Sequence, residues 1–257
     1  MNKNKKIVSL LILVTALALG VTVFQNFFAD KPVARSMDEE QMSAAADGSD
    51  SADASDATQQ NGAETSLVEI VGDALETPNP LGEIVMGDPD APVTIVEYAS
   101  LTCPHCGAFH NEILPILDEE FVKTGKVKFY FRPFPFDGVA TAGAMLVQCS
   151  APNRRVGFLK VLFERQSQWL MSSDPVEDLK RISKQAGLSE TDFQVCLKDE
   201  RILNGIRAMQ KAADEQLGVN STPTFFINGE MLRGHQPVDV FRKAINDQLP
   251  NDMKSSN

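Results

Sequence analysis

The four residues Cys103-Pro104-His105-Cys106 are the part of this chain whose types and spacing point most directly to chemistry. Two thiols separated by two residues let the second sulfur attack the first after a mixed disulfide has formed. The motif stands where a β-branched apolar run, Val93–Tyr98, gives way to helical spacing of Phe109, Ile113, Leu117 and Phe121. Cys103 therefore falls at a helix cap and Pro104 at the first helical position, where a missing N–H costs nothing. The free amides and partial positive charge of a helix start favour a thiolate over a thiol. His105, beside it, can add to that by charge or hydrogen bond. A more stable thiolate stabilises the dithiol state, and so makes the disulfide the stronger oxidant.

Three further groups of residues bear on this chemistry. Glu97 lies six residues before Cys103, inside the otherwise apolar run, where its carboxyl can pass a proton to or from Cys106; the alternative is a surface glutamate on an edge strand. Thr222-Pro223 opens a later strand, and a cis proline there would expose backbone groups for pairing with an extended substrate. The alternative is an ordinary trans proline at the start of a strand. Cys149 and Cys196 both fall in helical segments. They are expected to pair as a structural disulfide in an oxidising compartment, rather than to serve as two buried thiols. Cys103, Cys106 and His110 also match a CxxC-x3-H spacing, but a structural zinc site wants four ligands. There is no second CxxC, and Cys149, Cys196 and His235 are scattered, so no metal is expected. His110 and His235 read as helix-surface and loop residues. Trp169, with Phe158 and Phe163, reads as core, and the nine Met residues form no clustered array that would suit a copper carrier.

The elements that must position the motif follow from periodicity. Val93–Tyr98 and Val127–Phe131 are strands flanking a helix over Cys103–Lys123, which Pro115 should kink. That order implies a βαβ unit with parallel strands. From about Gly138 to Leu217 the pattern is helical: Ala140–Ser150, Val156–Trp169, Pro175–Ala186, Glu190–Lys198 and Asp199–Leu217. Thr224–Ile227 and Met231–Arg233 are strands joined at Asn228-Gly229, and Pro237–Gln248 closes the domain as a helix. The plan is an α/β sheet with an inserted helical subdomain.

What precedes this unit looks like an address and a spacer. Lys3, Lys5 and Lys6 introduce an uncharged apolar run from Ile7 to Phe24, the pattern of an export signal. Its length is near the ~18 residues at which a helix can span a bilayer. No good cleavage site follows, so residues 1–29 read as a signal anchor, with a cleaved peptide as the alternative. The lysines keep the N-terminus cytoplasmic. The chain carries a net charge of −11 over 257 residues. Eight acids and no Lys or Arg lie between Ser36 and Ser66, and residues 67–257 keep −7. Residues 30–66 are thus an acidic linker too polar to fold, extended by self-repulsion. The domain is placed at 67–252, with 253–257 as a tail. The acidity argues against binding nucleic acid through its phosphates.

The stretch from Val96-Glu97-Tyr98 through Cys103-Pro104-His105-Cys106 to Phe109-His110-Asn111-Glu112-Ile113-Leu114-Pro115 resembles the DsbA family of thiol:disulfide oxidoreductases. So do Arg132-Pro133-Phe134-Pro135 and Gly218-Val219 through Thr222-Pro223-Thr224-Phe225-Phe226-Ile227-Asn228-Gly229. The resemblance covers most of residues 80–250. It implies a thioredoxin-like fold with a helical insertion and a cis bond before Pro223. It also implies Cys103 as exposed nucleophile, Cys106 as resolving thiol, and no cofactor beyond their disulfide. Pro104-His105 is the dipeptide of the oxidising members, whereas Thr222 before the proline occurs in oxidases and in isomerase or reductase relatives. The implied partners are exported proteins with free cysteines and a quinone-linked membrane reoxidant of DsbB type. The implied place is the bacterial periplasm, tethered to the inner membrane. Isomerases of this kind assemble through an N-terminal segment. Residues 36–66 show no heptad or sheet pattern, so a monomeric oxidase is favoured over an isomerase or reductase. A metal-binding or chaperone module is the non-enzymatic alternative.

Overall fold

The computed structural model describes residues 79–254. The signal or anchor at 1–29, the linker at 30–66, the start of the domain at 67–78 and the last residues of the tail lie outside them. Among the described residues no helix is long and apolar enough to cross a membrane.

Five strands form one sheet in the order β1-β3-β2-β4-β5. They are β1 (Ile84–Met86), β2 (Val93–Ala99), β3 (Val127–Pro133), β4 (Thr224–Ile227) and β5 (Glu230–Arg233). Only β2 and β3 run parallel; the other neighbours are antiparallel. The sequence reading missed β1, which at three residues is too short to show an alternating pattern. The β4–β5 turn is made by Asn228 (φ 46°) and Gly229 (φ 89°). Both are left-handed, as a two-residue hairpin requires.

β2 is buried on both faces because it is central. Successive side chains alternate between faces. Val93 and Ile95 join one core with Phe109, Leu117, Phe121, Phe129, Phe225 and Phe241. Val96 and Tyr98 join another with Phe134, Ala213, Leu217 and Phe226. Glu97 shares the face of Ile95, the face covered by the helix that follows the CxxC motif.

That helix is expected over Cys103–Lys123 as one kinked rod, and it is more broken than a kink. It runs as α1 (Pro104–Ala108), a π-helical turn (Phe109–Ile113), α2 (Leu114–Leu117) and a second π-helical turn (Asp118–Val122). Pro115 has no N–H to offer the preceding turn. The backbone widens just before it, so that the Leu114 N–H reaches back to the Phe109 carbonyl.

Between β3 and β4 lies the helical insertion: α3 (Gly138–Cys149), α4 (Arg155–Glu164), α5 (Gln166–Leu170), α6 (Pro175–Gln185), α7 (Glu190–Cys196) and α8 (Glu200–Leu217); α9 (Val238–Gln248) follows β5. The expected single helix over Val156–Trp169 is broken at Arg165, whose φ of −104° and ψ of 14° depart from helical values. Local chemistry sets the other ends. The Asp137 carboxylate accepts from the Ala140 N–H at 2.7 Å at the start of α3. Ser189 and Asp192 form a reciprocal capping box on α7. Asp199 accepts from the Arg201 and Ile202 amides at the start of α8, and Gly218 ends α8 with φ 67°.

Cys149 and Cys196 are bonded, closing a separation of 47 residues between α3 and α7. A cross-link of that loop length raises stability by about 2–4 kcal/mol through the unfolded chain. The Cys149→Ala/Cys196→Ala double variant should therefore unfold at lower denaturant. An unchanged midpoint in urea would contradict this.

Candidate active site

Three segments converge on Cys103: the end of β2, the start of α1, and the loop before β4. Cys103 caps α1 with extended backbone (φ −78°, ψ 119°), and Pro104 takes the first helical position. The Cys103 N–H donates to the Ser100 carbonyl at 3.1 Å, and the Gly107 N–H donates to the Cys103 carbonyl at 3.1 Å. The Thr222–Pro223 peptide is cis, and the Cys103 thiol donates to the Thr222 carbonyl at 3.4 Å. The proline loop thus lies against the sulfur.

The two thiols sit in contrasting surroundings. Both are free, Cys103 half-buried and Cys106 wholly buried. The Cys103 thiol is lowered to about 5. Its main cause is a hydrogen bond from the Cys106 thiol, aided by the Thr222 side chain and the backbone N–H groups of Cys106 and His105, against the cost of burial. Burial pushes the Cys106 thiol upward, reinforced by its bond to Cys103 and the negative charge of Glu97. One sulfur is held as a nucleophile at neutral pH and the other is held protonated. His105 is exposed, and its backbone N–H is among the groups that stabilise the Cys103 thiolate. The ring interaction expected from the sequence is not among the causes.

This asymmetry has a sign that can be measured. A thiol depressed in the folded state stabilises the reduced protein fully above the free-thiol value of ~8.5 and loses that contribution as pH falls through about 5. The disulfide form has no such term. The margin by which reduced protein outlasts oxidised protein in thermal melts should therefore shrink steadily from pH 8 to pH 5. Thiolate absorbance in the reduced protein should titrate with a midpoint near 5. A midpoint near the free-thiol value of ~8.5 would refute the arrangement.

The helical insertion braces the motif. The Gln166 amide donates to the Leu101 carbonyl at 2.8 Å and the Cys103 carbonyl at 2.9 Å. A Cβ on Gly107 would lie 2.3 Å from the Gln166 Oε1, so a larger residue there would displace the Gln166 amide. The Thr102 hydroxyl donates to Asp137, the residue that also caps α3. Sequence reasoning missed Gln166 entirely. It lies 60 residues past the motif in a polar helix, and nothing local marks it.

Glu97 is not on an edge strand. β2 is central, Glu97 pairs in register with Phe131 on one side and Phe225 on the other, and it is 0% exposed. His110 is not a surface residue either. It is 8% exposed, its Nε2 lies 2.8 Å from Glu97 Oε2, and its ring stacks on Phe163 at 3.9 Å between centroids. The spacing of His110 seven residues beyond Cys103 puts it on the inward face of the helix, and the π-helical turn that contains it is what obscured that face in the sequence. Among the described residues no group of three or more His, Cys, Asp or Glu side chains is gathered as candidate metal ligands. His235 lies in the loop after β5.

A β-α-β core with a dithiol at the start of its first helix, a cis proline against the exposed sulfur and a helical insertion between β3 and β4 defines a thioredoxin-fold dithiol protein. The thioredoxin family profile matches residues 79–247. The alpha-DsbA1 of Wolbachia pipientis superposes with a TM-score of 0.63 at 31% identity, over 69% of this chain and 95% of that one. The chain belongs to the DsbA family of thiol:disulfide oxidoreductases. The disulfide bond formation protein D of Bacillus subtilis is 26% identical over 186 residues, 67% of this chain and 79% of its own. A Rickettsia typhi protein with a protein-disulfide oxidoreductase name is 28% identical over 174 residues. The chain spans 64% of that relative's length.

Proposed function

We propose that the protein is a disulfide oxidase acting by dithiol–disulfide exchange. The observation that carries this is the contrast at Cys103 and Cys106: an accessible sulfur held as thiolate beside a sealed sulfur held as thiol. In the disulfide form a client thiolate attacks Cys103, and Cys106 leaves. A second client thiol then attacks the client sulfur of the mixed disulfide, releasing Cys103 as its stabilised thiolate. The client leaves oxidised, and the enzyme pair is left reduced. Glu97, buried on the Cys106 side, serves as the proton donor and acceptor for the resolving sulfur.

The Thr222–Pro223 loop offers backbone groups beside Cys103 for an extended client strand. Phe136, 57% exposed, lies next to Asp137 and thus beside the motif, where it adds apolar contact. The clients are exported proteins with free cysteines, and the reoxidant is a quinone-linked membrane protein of DsbB type. On this reading residues 1–29 are a signal anchor and residues 30–66 an acidic linker, and the domain works in the bacterial periplasm, tethered to the inner membrane. The family and the site chemistry support this reading.

The test is transfer in a single turnover. Oxidised protein mixed with a reduced two-cysteine peptide should convert it to the cyclic disulfide, one per protein molecule, with Cys103 and Cys106 becoming alkylatable together. Peptide that stays reduced while Cys103 and Cys106 remain bonded would contradict the proposal.

A further inference from the structure

Exchange at this site moves a proton as well as electrons, and both Glu97 and Cys106 are sealed from solvent at 0% exposure. When Cys106 leaves the disulfide it must take up a proton, because burial opposes its thiolate. When the pair reforms, that proton must leave. The proposed function thus needs a route between Glu97 and water.

We propose that His110 is that route: a relay carrying protons between Glu97 and water in the pocket behind the active-site helix. Its Nε2 lies 2.8 Å from Glu97 Oε2. The ring is held by stacking on Phe163 and by edge contacts with Phe109 and Phe131. His110 also lines an apolar pocket with Leu114, Phe129 and Leu159. Asp118, Glu119, Lys123 and Lys160 form the charged rim of that pocket. Lys123, Glu119 and Lys160 have mostly exposed side chains, so the rim meets solvent. No other titratable group lines the pocket, and β1, β3 and α4 present Ile84, Met86, Phe129, Phe131, Val156 and Leu159 toward it besides Lys160. The remaining oxygen of the carboxyl, Glu97 Oε1, is buried with no hydrogen-bond partner. Such an atom costs stability, and the carboxyl it belongs to is near enough to Cys106 to act on its thiol electrostatically.

The steps balance. A client thiolate attacks the Cys103 sulfur, the Cys103–Cys106 bond breaks, and Cys106 leaves with the electron pair. His110 Nε2–H gives its proton to the Glu97 carboxylate, which passes it on to Cys106, while Nδ1 takes one from solvent in the pocket, so Glu97 is again a carboxylate in the reduced protein. Reoxidation runs the same path outward: Cys106 gives up its proton to Glu97, Nε2 accepts it, and Nδ1 releases one. The two halves of the redox cycle move the proton in opposite directions, so the ring returns to its starting tautomer without rotating.

This inference rests on the exchange activity, so the experiment separates the two. Reduced protein is mixed rapidly with glutathione disulfide. Attack by Cys103 forms the mixed disulfide, and attack by Cys106 closes the internal bond. In wild type, absence of any glutathione adduct at Cys103, even transiently, would sink the exchange reading itself. Given exchange, His110→Gln keeps a hydrogen bond to Glu97 but carries no proton, and should slow closure at least ~10-fold, set against the ~10²–10⁴-fold typical of general acid–base catalysis. Formation of the adduct, followed in a Cys106→Ser background, should change less than two-fold, which a purely structural defect would not respect. In His110→Ala, added imidazole should restore closure with saturation. Closure in His110→Gln within two-fold of wild type, or slow closure in His110→Ala that imidazole does not restore, overturns the relay. Either variant decides if the other does not fold.

Discussion

Cys103→Ser should leave a folded protein with exchange activity at background, whereas Cys106→Ser should attack once and then stall as a mixed disulfide. Both substitutions remove one sulfur, but the surroundings give them opposite outcomes. The Cys103 sulfur is the half-exposed one, lowered to about 5 by hydrogen bonds from Cys106, Thr222 and the helix-start amides. A serine hydroxyl there does not ionise at neutral pH and does not attack sulfur. Cys106 is sealed beneath the motif, so no client reaches it. Its loss leaves the first attack intact and removes the group that would release the client. Cys106→Ala, which removes the side-chain donor that contributes most to the low Cys103 value, should make Cys103 titrate higher than in wild type. Trapping with a biotinylated peptide disulfide, read on a non-reducing gel, distinguishes the variants. A stable adduct in Cys103→Ser, or none in Cys106→Ser, would reverse the assignment of nucleophile and resolving thiol.

Phe109→Ala should cost about 3–5 kcal/mol of stability, as expected for deleting a fully buried phenylalanine. Phe109 is 0% exposed. It packs on Phe225 at 4.5 Å, Phe241 at 5.3 Å and Phe129 at 6.1 Å between ring centroids. It therefore joins the active-site helix to β3, β4 and α9 at once. Its neighbours come from separate elements of the sheet layer and cannot all collapse into the space a smaller residue leaves. Against a total stability of ~5–15 kcal/mol, such a loss should shift the urea midpoint strongly. It should also raise exchange-independent protease cleavage. A shift worth under about 1 kcal/mol would mean that this cluster is not what fixes the helix to the sheet.

Much of the fold was legible because its signals are local. The β-branched Val93–Tyr98, the Asn228-Gly229 turn and the helical spacing through Phe121 each act within a few residues. The CxxC motif at a strand–helix junction marks the two free thiols for the same reason. What the sequence concealed depends on distant packing. Glu97 reads equally well as a surface or a buried acid until β4 is seen to pair on its far side. His110 reads as a surface residue on a regular helix. The π-helical turn and the ring of Phe163, 53 residues away, decide that it faces inward. Gln166 braces the motif across 63 residues to the Cys103 carbonyl, and no periodicity encodes a single polar contact of that reach. β1 owes its existence to β3 rather than to its own three residues.

The central claim is that Cys103 and Cys106 form an oxidising redox pair, and its most direct test is the reduction potential of that pair in glutathione buffers at pH 7, read together with its redox state in cells. Stabilisation of the Cys103 thiolate favours the dithiol, so the potential should be more oxidising than the roughly −180 mV of an isomerase-type pair, with the pair mostly disulfide-bonded in cells. A potential near the ~−270 mV of a reducing thioredoxin, with the two thiols mostly reduced in cells, would contradict it.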